Sequence, residues 1–184
     1  MMVGLSSLVL AVRKRGLFLI KKIGLIGERD YTKRYIRLLQ RSGVEIADFD
    51  IDSFISETVD FDGFDRKRIH IGKNVYLTNG VIILVHDQSV VTVYNAKNIG
   101  AENHGTMYAP ADVYIGNNVF VGMRSIILPG TTIGDNVVIG AGSIVKGKIP
   151  SGTVWAGVPA KQITTVDKQY ERLSSRGAFD VLDE

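Results

Sequence analysis

The sequence predicts an all-β solenoid, a triangular coil of short parallel strands with helices at both ends. The main observation is that aliphatic residues recur at every sixth position. Six is neither the 3.6-residue period of a helix nor the two-residue period of a strand, so the repeat belongs to a larger unit stacked on itself. The longer series is Ile115, Val121, Ile127, Ile133, Ile139 and Val145, and a shorter one is Ile71, Leu77 and Ile83.

The other positions of each hexad support the same architecture. Glycine often follows the aliphatic residue, and a valine or a small residue often stands four positions after it. One aliphatic side chain per strand can point inward, while Gly, Asn and small residues allow a tight turn before the next strand. A β-sandwich with chance spacing is the alternative, and six consecutive matches argue against it. The glycines are Gly72, Gly116, Gly122, Gly134 and Gly140.

The repeat fails in one place. Continuing the shorter series beyond Ile83 reaches Ser89 and Asn95, which do not suit a core, and the longer series restarts out of phase at Ile115. Residues from about 86 to 110 are therefore predicted to leave the prism as a loop. Because loops on rigid scaffolds often carry chemistry, this one is a candidate site.

Helices are expected on both sides of the repeat. One with a basic face begins near Leu5, a second runs from Asp30 as its N-cap to Arg41, and a short one covers 167–176. The acidic and aromatic segment 44–68 is expected to form an irregular first coil. The predicted parts are a basic helical extension over 1–43, the β-helix over 44–163, and a C-terminal helix and tail over 164–184.

Composition limits the chemistry. A chain of 184 residues, 45% hydrophobic and 22% charged, can bury the core of one domain with extensions. The absence of cysteine excludes disulfides, thiolate metal sites and acyl-cysteine intermediates. His70, His86 and His104 are the only side chains that normally exchange a proton near neutral pH. The search for a general base is confined to these three.

Charge is distributed unevenly. Residues 1–41 contain ten Lys or Arg against two acids, a net charge of +8, and the remainder has a net charge of −5. A helical wheel started at Leu5 gathers apolar residues on one arc, so the first helix is amphipathic with a basic face. The arc comprises Leu5, Leu8, Val9, Val12, Gly16, Leu19, Ile20 and Ile23.

The first helix has two alternative roles. Its apolar stretches are too short to span a bilayer, and the order of charges does not fit a signal peptide. It either packs on its own protein or a neighbouring subunit, or makes a peripheral contact with anionic lipid through residues 1–27. Nucleic acid is disfavoured as a partner because no aromatic residues interleave with the basic ones.

Several motifs carry a family resemblance over about residues 69–163. They are Leu77–Val81 leading to His86-Asp87, Ile115–Met123, Gly140–Ser143 and Ala156–Lys161. The chain resembles the hexapeptide-repeat acyltransferases, and within them the capsular and lipopolysaccharide sugar O-acetyltransferases, with galactoside, maltose and xenobiotic acetyltransferases as relatives. This resemblance implies a left-handed parallel β-helix with about three hexads per turn, acetyl-CoA as co-substrate without a metal, and a homotrimer with sites between subunits.

The expected reaction needs a general base, because a sugar hydroxyl is a weak nucleophile at neutral pH. Imidazole suits that task, and His86 at the start of the loop is the candidate. Asp87, or a backbone carbonyl, is expected to fix its tautomer by accepting from Nδ1. His104 lies in the same loop and is a candidate contact for the acceptor. His70 lies between two core isoleucines and is expected to face solvent or a neighbouring chain.

The remaining site residues follow from the resemblance. It implies that Asn79 binds the acceptor sugar, although Asn-Gly is also an ordinary turn dipeptide. Stacked turns expose backbone groups that can hold the pantetheine arm of coenzyme A. Trp155 is expected either to cover the adenine or to pack on the last coil. The other residues expected at coenzyme A are Gly122, Met123, Gly140 and Ala141 at the arm and Lys146, Lys148 and Lys161 at the phosphates.

Two other functions share the predicted fold. A γ-type carbonic anhydrase needs three histidines around a metal, and the spacing of the three in this chain does not resemble that motif. A non-catalytic scaffold would need neither the His-Asp loop nor the Gly-Val-Pro-Ala-Lys ending. The sequence therefore favours an O-acetyltransferase acting on a sugar or glycan precursor, in the cytoplasm or at the inner face of the membrane.

Overall fold

Three parallel sheets form the sides of a prism, since successive strands enter the sheets in a fixed rotation. The computed structural model describes residues 3–47, 53–97 and 108–178. Sheet A contains β1 (Glu45–Ile46), β4 (Ile69–Ile71), β9 (Val113–Ile115), β12 (Thr132–Ile133) and β15 (Lys148–Ile149). Sheet B contains β2 (Phe54–Ile55), β5 (Val75–Leu77), β10 (Val119–Val121), β13 (Val137–Ile139), β16 (Thr153–Gly157) and β17 (Ala160–Thr165). Sheet C contains β3 (Asp60–Phe61), β6 (Ile82–Ile83), β11 (Ile126–Ile127) and β14 (Ile144–Val145).

The hexad residues form the core of this prism. In sheet B, Leu77, Val121 and Ile139 stand directly above one another in parallel register, and all three are buried. Stacking identical positions removes each aliphatic side chain from water, at about 25 cal/mol per Å² of apolar surface. The predicted triangular coil is therefore confirmed, and the β-sandwich alternative is wrong. The coil also extends into 44–68, where β1, β2 and β3 supply one strand to each sheet.

Asparagines turn the corner between sheets A and B. Asn74, Asn118 and Asn136 all have φ between 52° and 55°, the left-handed region that asparagine tolerates better than most residues. Their side chains bond from coil to coil, with 2.8 Å from Asn74 to Asn118 and 2.7 Å from Asn118 to Asn136. One residue type thus satisfies the turn conformation and links three coils.

The loop predicted at about 86–110 leaves the prism after sheet C. Its ends form a small antiparallel ladder between β7 (His86–Asp87) and β8 (Ala109–Pro110), and the short helix α3 (Val90–Ala96) follows β7. Sequence reasoning did not predict α3. His104 lies outside the described residues.

Two helices cover the first coil. They are α1 (Val3–Lys22) and α2 (Glu28–Arg41), and α2 begins two residues before the expected N-cap, with Gly27 as the actual N-cap. Tyr35, Ile36 and Leu39 of α2 are buried among the core residues. Within the described residues, no helix is long and apolar enough to cross a membrane.

The packing face of α1 is not its apolar arc. Leu17 is buried, the ammonium group of Lys14 lies 5.2 Å from the ring centre of Tyr35, and that of Lys21 lies 4.5 Å from the ring centre of Tyr31. These cation–π contacts place two lysines against α2. The described aliphatic residues of the arc, which could have packed there, are exposed instead: Val9, Val12, Leu19, Ile20 and Ile23.

The C-terminal end of the prism is closed by a change of strand direction. β17 pairs antiparallel with β16, whereas every other pair within the three sheets is parallel. The helix α4 (Val166–Ser174) follows and contacts both strands, close to the predicted 167–176. Thr165 caps α4 by accepting a hydrogen bond from the backbone N–H of Lys168.

Candidate active site

A histidine and a buried carboxylate meet at the corner where the loop leaves sheet C. The Nδ1 atom of His86 lies 2.5 Å from Oδ2 of Asp62, which stands one coil earlier. The carboxylate is almost fully buried, whereas about a quarter of the His86 side chain is exposed. No hydrogen bond within the described residues uses Nε2 of His86. The pair therefore fixes one ring nitrogen and leaves the other open.

The protein holds Asp62 ionised. Burial alone would raise its pKa, but hydrogen bonds from the backbone N–H groups of Val85 and Phe64 and from the His86 ring lower the pKa below its usual value. A carboxylate beside Nδ1 favours the tautomer that carries its proton there. Nε2 is then the basic nitrogen, on the side that faces out of the prism.

Asp87 does not occupy the position expected for it. Its Oδ1 accepts a hydrogen bond from the backbone N–H of Ser89 at 2.8 Å, and its side chain is exposed. Hydrogen bonds from Ser89 lower the pKa of Asp87. Asp62 makes the contact with His86 instead. Asp62 was not among the residues predicted for the site, because 24 residues of the irregular first coil and the coil after it separate Asp62 from His86.

Two aromatic rings stand beside His86. The ring of Phe64 lies 4.9 Å from the imidazole, centre to centre, and 4.0 Å from the ring of Tyr108. Both aromatic side chains are partly exposed, so they border the open side of the histidine. Phe64 belongs to the acidic and aromatic segment 44–68, and neither Phe64 nor Tyr108 was predicted to lie at the site.

A row of unused backbone donors marks the corner between sheets B and C. Asn79, Met123 and Ala141 occupy equivalent positions in three successive coils, two residues beyond the paired core residues. Within the described residues, none of their N–H groups donates a hydrogen bond. The coils stack about 4.8 Å apart, so the donors form a regular line. This line is where the sequence placed the pantetheine arm.

The side chains along this row differ in role. Met123 is exposed, while Oδ1 of Asn79 accepts a hydrogen bond from Ser56 at 2.6 Å. A Cβ on Gly122 would lie 2.4 Å from the backbone nitrogen of Ala141, and one on Gly140 would lie 2.8 Å from Cβ of Ala156. The close stacking of coils is thus a sufficient reason for both glycines.

The expected phosphate-binding lysines do not form one cluster. Lys146 follows sheet C and lies near Asp87, Lys148 points outward from sheet A, and Lys161 lies in β17. All three are exposed. Trp155 pairs with Ile139 and packs on the core, with Nε1 donating to Oγ1 of Thr153 at 3.0 Å. That position favours the packing role for the tryptophan.

Arg124 is a residue that sequence reasoning missed. It has φ of 58° at the corner between sheets B and C, where the equivalent positions are Gly80 and Gly142. A left-handed conformation is unfavourable for a side chain with Cβ, and strained residues often occur at functional sites. Arg124 is exposed next to Met123, and it makes no ion pair with the described residues. Its φ could not be read from the sequence.

His70 belongs to a separate cluster on sheet A. As expected, it points outward, where its ring stacks on Tyr114 at 4.3 Å and Nδ1 lies 2.7 Å from Glu45. Nε2 lies 3.4 Å from Asp112, whose pKa is lowered by a hydrogen bond from Arg68. Among the described residues, no group of three potential ligands is arranged to hold a metal ion.

The fold and the six-residue repeat define the class as that of the hexapeptide-repeat transferases. The family model "Bacterial transferase hexapeptide (six repeats)" matches residues 112–147. The galactoside O-acetyltransferase of Escherichia coli K12 is 42% identical over 118 residues, which cover 55% of this chain and 58% of the relative. The Schizosaccharomyces pombe protein C18B11.09c, assigned as an acetyltransferase, is 32% identical over 162 residues, covering 78% of this chain and 73% of the relative.

A solved structure agrees with the sequence matches. A galactoside acetyltransferase in complex with coenzyme A superimposes with a TM-score of 0.53 and 25% identity, covering 87% of this chain and 82% of the other. The protein belongs to the hexapeptide-repeat acetyltransferase family. The family resemblance inferred from the motifs is confirmed, and it implies a left-handed coil. The chain matches 58% of the length of the E. coli enzyme.

Proposed function

We propose that the protein transfers an acetyl group from acetyl-CoA to a hydroxyl of a sugar or glycan precursor, with His86 as general base. The observation that carries the proposal is the contact of Nδ1 of His86 with buried, ionised Asp62, which leaves Nε2 open beside the loop. The relatives named above are acetyltransferases, and the solved galactoside enzyme holds coenzyme A. The cytoplasm is the expected compartment.

The proposed reaction begins at Nε2. This nitrogen takes the proton of the acceptor hydroxyl as the hydroxyl oxygen attacks the carbonyl carbon of the thioester. The tetrahedral intermediate expels the coenzyme A thiolate, and the imidazolium returns its proton to that sulfur. Asp62 stabilises the imidazolium by accepting from Nδ1–H. A positioned base of this kind typically contributes about 10²–10⁴-fold to the rate.

The donor is proposed to lie along the unused backbone donors of Asn79, Met123 and Ala141. Their N–H groups can bond the amide carbonyls of an extended pantetheine arm, and a line of donors needs no particular side chain. The phosphates of coenzyme A are proposed to bind Arg124, Lys146, Lys148 and Lys161. The arginine offers a planar, forked donor.

One chain alone offers an incomplete site. His86 lies at the corner between sheets C and A, whereas Met123 and Ala141 lie at the corner between sheets B and C, one and two coils further on. The acceptor hydroxyl held by His86 and the thioester at the end of the donor row must come within about 3 Å of each other. A homotrimer in which His86 of one chain faces the donor row of the next would resolve this separation.

The surface between the two corners is consistent with a neighbouring chain. Ile82, Ile126 and Ile144 stand in register on the outer side of sheet C, and each is only partly exposed. A contiguous outward row of isoleucine is apolar surface that association would bury.

The test compares two histidines. His86→Ala should lower turnover of acetyl-CoA with a galactoside acceptor by at least about 100-fold, because a positioned base contributes at least that much. Coenzyme A affinity, measured by calorimetry, should change little because backbone groups hold the donor. His70→Gln, outside the proposed site, is the matched control and should retain activity. Activity of His86→Ala within about tenfold of the parent would contradict the assignment.

The acceptor class is tested separately. Release of free coenzyme A is followed with simple galactosides, nucleotide-linked sugars and lipid-linked sugars in parallel. Stimulation by a sugar hydroxyl compound supports the proposal. Stimulation by amines alone would replace O-acetylation with N-acetylation at the same site.

A further inference from the structure

A groove of about 550 Å³ lies between α1 and α2, away from the proposed active site. Its apolar floor includes Leu17, Ile20 and Leu38. Four arginines line it, and none of the acidic residues that the structure describes does. The four arginines are Arg13, Arg34, Arg37 and Arg41. We refer to this feature as the arginine groove.

The arginines of the groove are unpaired within residues 3–47, 53–97 and 108–178. All four side chains are exposed, and none makes an ion pair or hydrogen bond with the described residues. Four like charges on adjacent helix turns repel one another in the absence of an anion. Of the acids near these helices, Glu28 pairs with Lys21 and Glu57 accepts a hydrogen bond from Tyr31. Within the part of the chain that the structure describes, the groove thus presents a positive surface without an acidic lining.

The apolar arc of α1 continues from the rim of this groove. Because Leu17, Lys14 and Lys21 face α2, most of the described arc points away from α2, while Ile20 at the edge of the arc reaches the groove floor. Val12, Leu19 and Ile23 are 61%, 57% and 60% exposed, which is unusual for three neighbouring aliphatic residues on one helix face. Arg13 borders the arc on the groove side, and Arg15 and Lys22 border it on the other.

We propose that the exposed arc of α1 and the arginine groove together dock the protein onto an anionic lipid bilayer, with lipid phosphates in the groove. An apolar helix face flanked by basic residues on both sides is the pattern of a helix lying in the interface. The second helix supplies three of the four groove arginines, so the contact extends beyond residues 1–27. This surface does not depend on the proposed acetyl transfer.

A second copy of the chain fits this surface less well. Two-fold docking of the groove onto itself would bring arginines against arginines. An anionic bilayer satisfies both parts of the surface at once, because headgroups neutralise the arginines while the acyl boundary takes up the aliphatic side chains.

The experiment uses the full chain and sedimentation with two kinds of vesicle, phosphatidylcholine alone and phosphatidylcholine with phosphatidylserine. The wild-type protein should bind the anionic vesicles at low salt and lose binding as salt rises. Each basic residue near the surface is worth roughly fivefold in partitioning. The triple variant Arg34→Gln, Arg37→Gln, Arg41→Gln should therefore bind about 100-fold more weakly.

Two further variants make the test specific. Lys73→Gln, Lys168→Gln, Arg176→Gln removes the same net charge from other exposed positions and should bind nearly as the parent does. Leu19→Ser with Ile23→Ser should weaken vesicle binding without unfolding the protein, because neither residue packs on α2. Circular dichroism checks the fold of each variant.

Several results would overturn the proposal. One is failure of the wild-type protein to bind anionic vesicles at low salt. Another is equal weakening by the two triple variants, which would indicate a response to net charge alone. If the Leu19→Ser, Ile23→Ser variant changes the oligomeric state and leaves vesicle binding intact, the arc is an interface between copies of the chain.

Discussion

Asp62 lies one coil before His86, and its Oδ2 atom is 2.5 Å from Nδ1 of that histidine. The first coil of the prism therefore takes part in the candidate site, although most of the clear hexads lie later in the chain. The backbone N–H groups of Val85 and Phe64 also donate hydrogen bonds to the Asp62 carboxylate. The position of the histidine thus depends on correct stacking of two coils.

Asp62→Asn should lower kcat by about 10- to 1,000-fold, because His86 loses its fixed tautomer while part of the contribution of a positioned base remains. The KM for acetyl-CoA should change little. Steady-state kinetics with a galactoside acceptor measure both. Asp87→Asn should lose less activity, since the carboxylate of Asp87 is hydrogen-bonded to Ser89 and not to the His86 ring. A greater loss in Asp87→Asn would indicate that Asp87, not Asp62, orients the base.

The lowered pKa of Asp62 also makes the stability of the fold depend on pH. Its folded-state pKa is lowered below the ordinary value of 3.8. A carboxyl with a lowered pKa stabilises the fold above the unfolded pKa, and that contribution is lost as pH falls through the folded value. The difference in unfolding free energy between wild type and Asp62→Asn should therefore shrink as the pH falls below about pH 4. Urea unfolding between about pH 5 and pH 3 measures it, and a difference that grows over this range would contradict the prediction.

The regular part of the fold could be predicted from sequence, and particular residues show why the rest could not. Ile115 to Val145 specify the prism because each hexad repeats the same inward position. In the first coil, Phe61 occupies the inward position that an aliphatic residue occupies in later coils, and the corner after it is irregular. The contact of Asp62 with His86 could therefore not be predicted from the repeat. Arg124 was missed because its backbone conformation is one that glycine usually supplies. The face with which α1 packs on α2 could not be predicted from the apolar arc, because lysines can pack on tyrosine rings.

Gly122→Ala should destabilise the protein by about 1–3 kcal/mol, the usual cost of overpacking. The added Cβ would lie 2.4 Å from the nitrogen of Ala141, which is backbone and cannot turn aside. Gly16→Ala is the matched control, because its Cβ meets nothing within 4 Å and alanine favours a helix. Thermal unfolding compares the two. Equal stability of both variants would show that the coils can separate without cost.

Arg124→Gly should raise stability and lower function together. Glycine relieves the left-handed conformation, for which an ordinary residue pays about 1–2 kcal/mol, offset partly by the greater freedom of glycine in the unfolded chain. If Arg124 binds a phosphate of coenzyme A, the KM for acetyl-CoA should rise while kcat stays nearly constant. Calorimetric melting tests the predicted gain in stability, and steady-state kinetics test the predicted rise in KM. An unchanged KM would remove Arg124 from the proposed donor site.

Sedimentation velocity at micromolar concentration should show a trimer. Ile126→Lys, on the outer row of sheet C, should weaken it by placing a charge in an apolar contact, and activity should fall with the trimer. Thr132→Lys on sheet A is the control. A stable monomer with full activity would contradict a site shared between chains.

The antiparallel strand β17 has a consequence for the length of the prism. A stack of parallel coils ends in unpaired backbone groups that could accept another coil of the same kind, from this chain or from a second one. On sheet B that edge is paired with β17, whose direction does not match the parallel register of the coils beneath it. At the opposite end, α2 lies against β1 and β2. End-to-end polymerisation of the prism into fibres is therefore opposed at both of its ends.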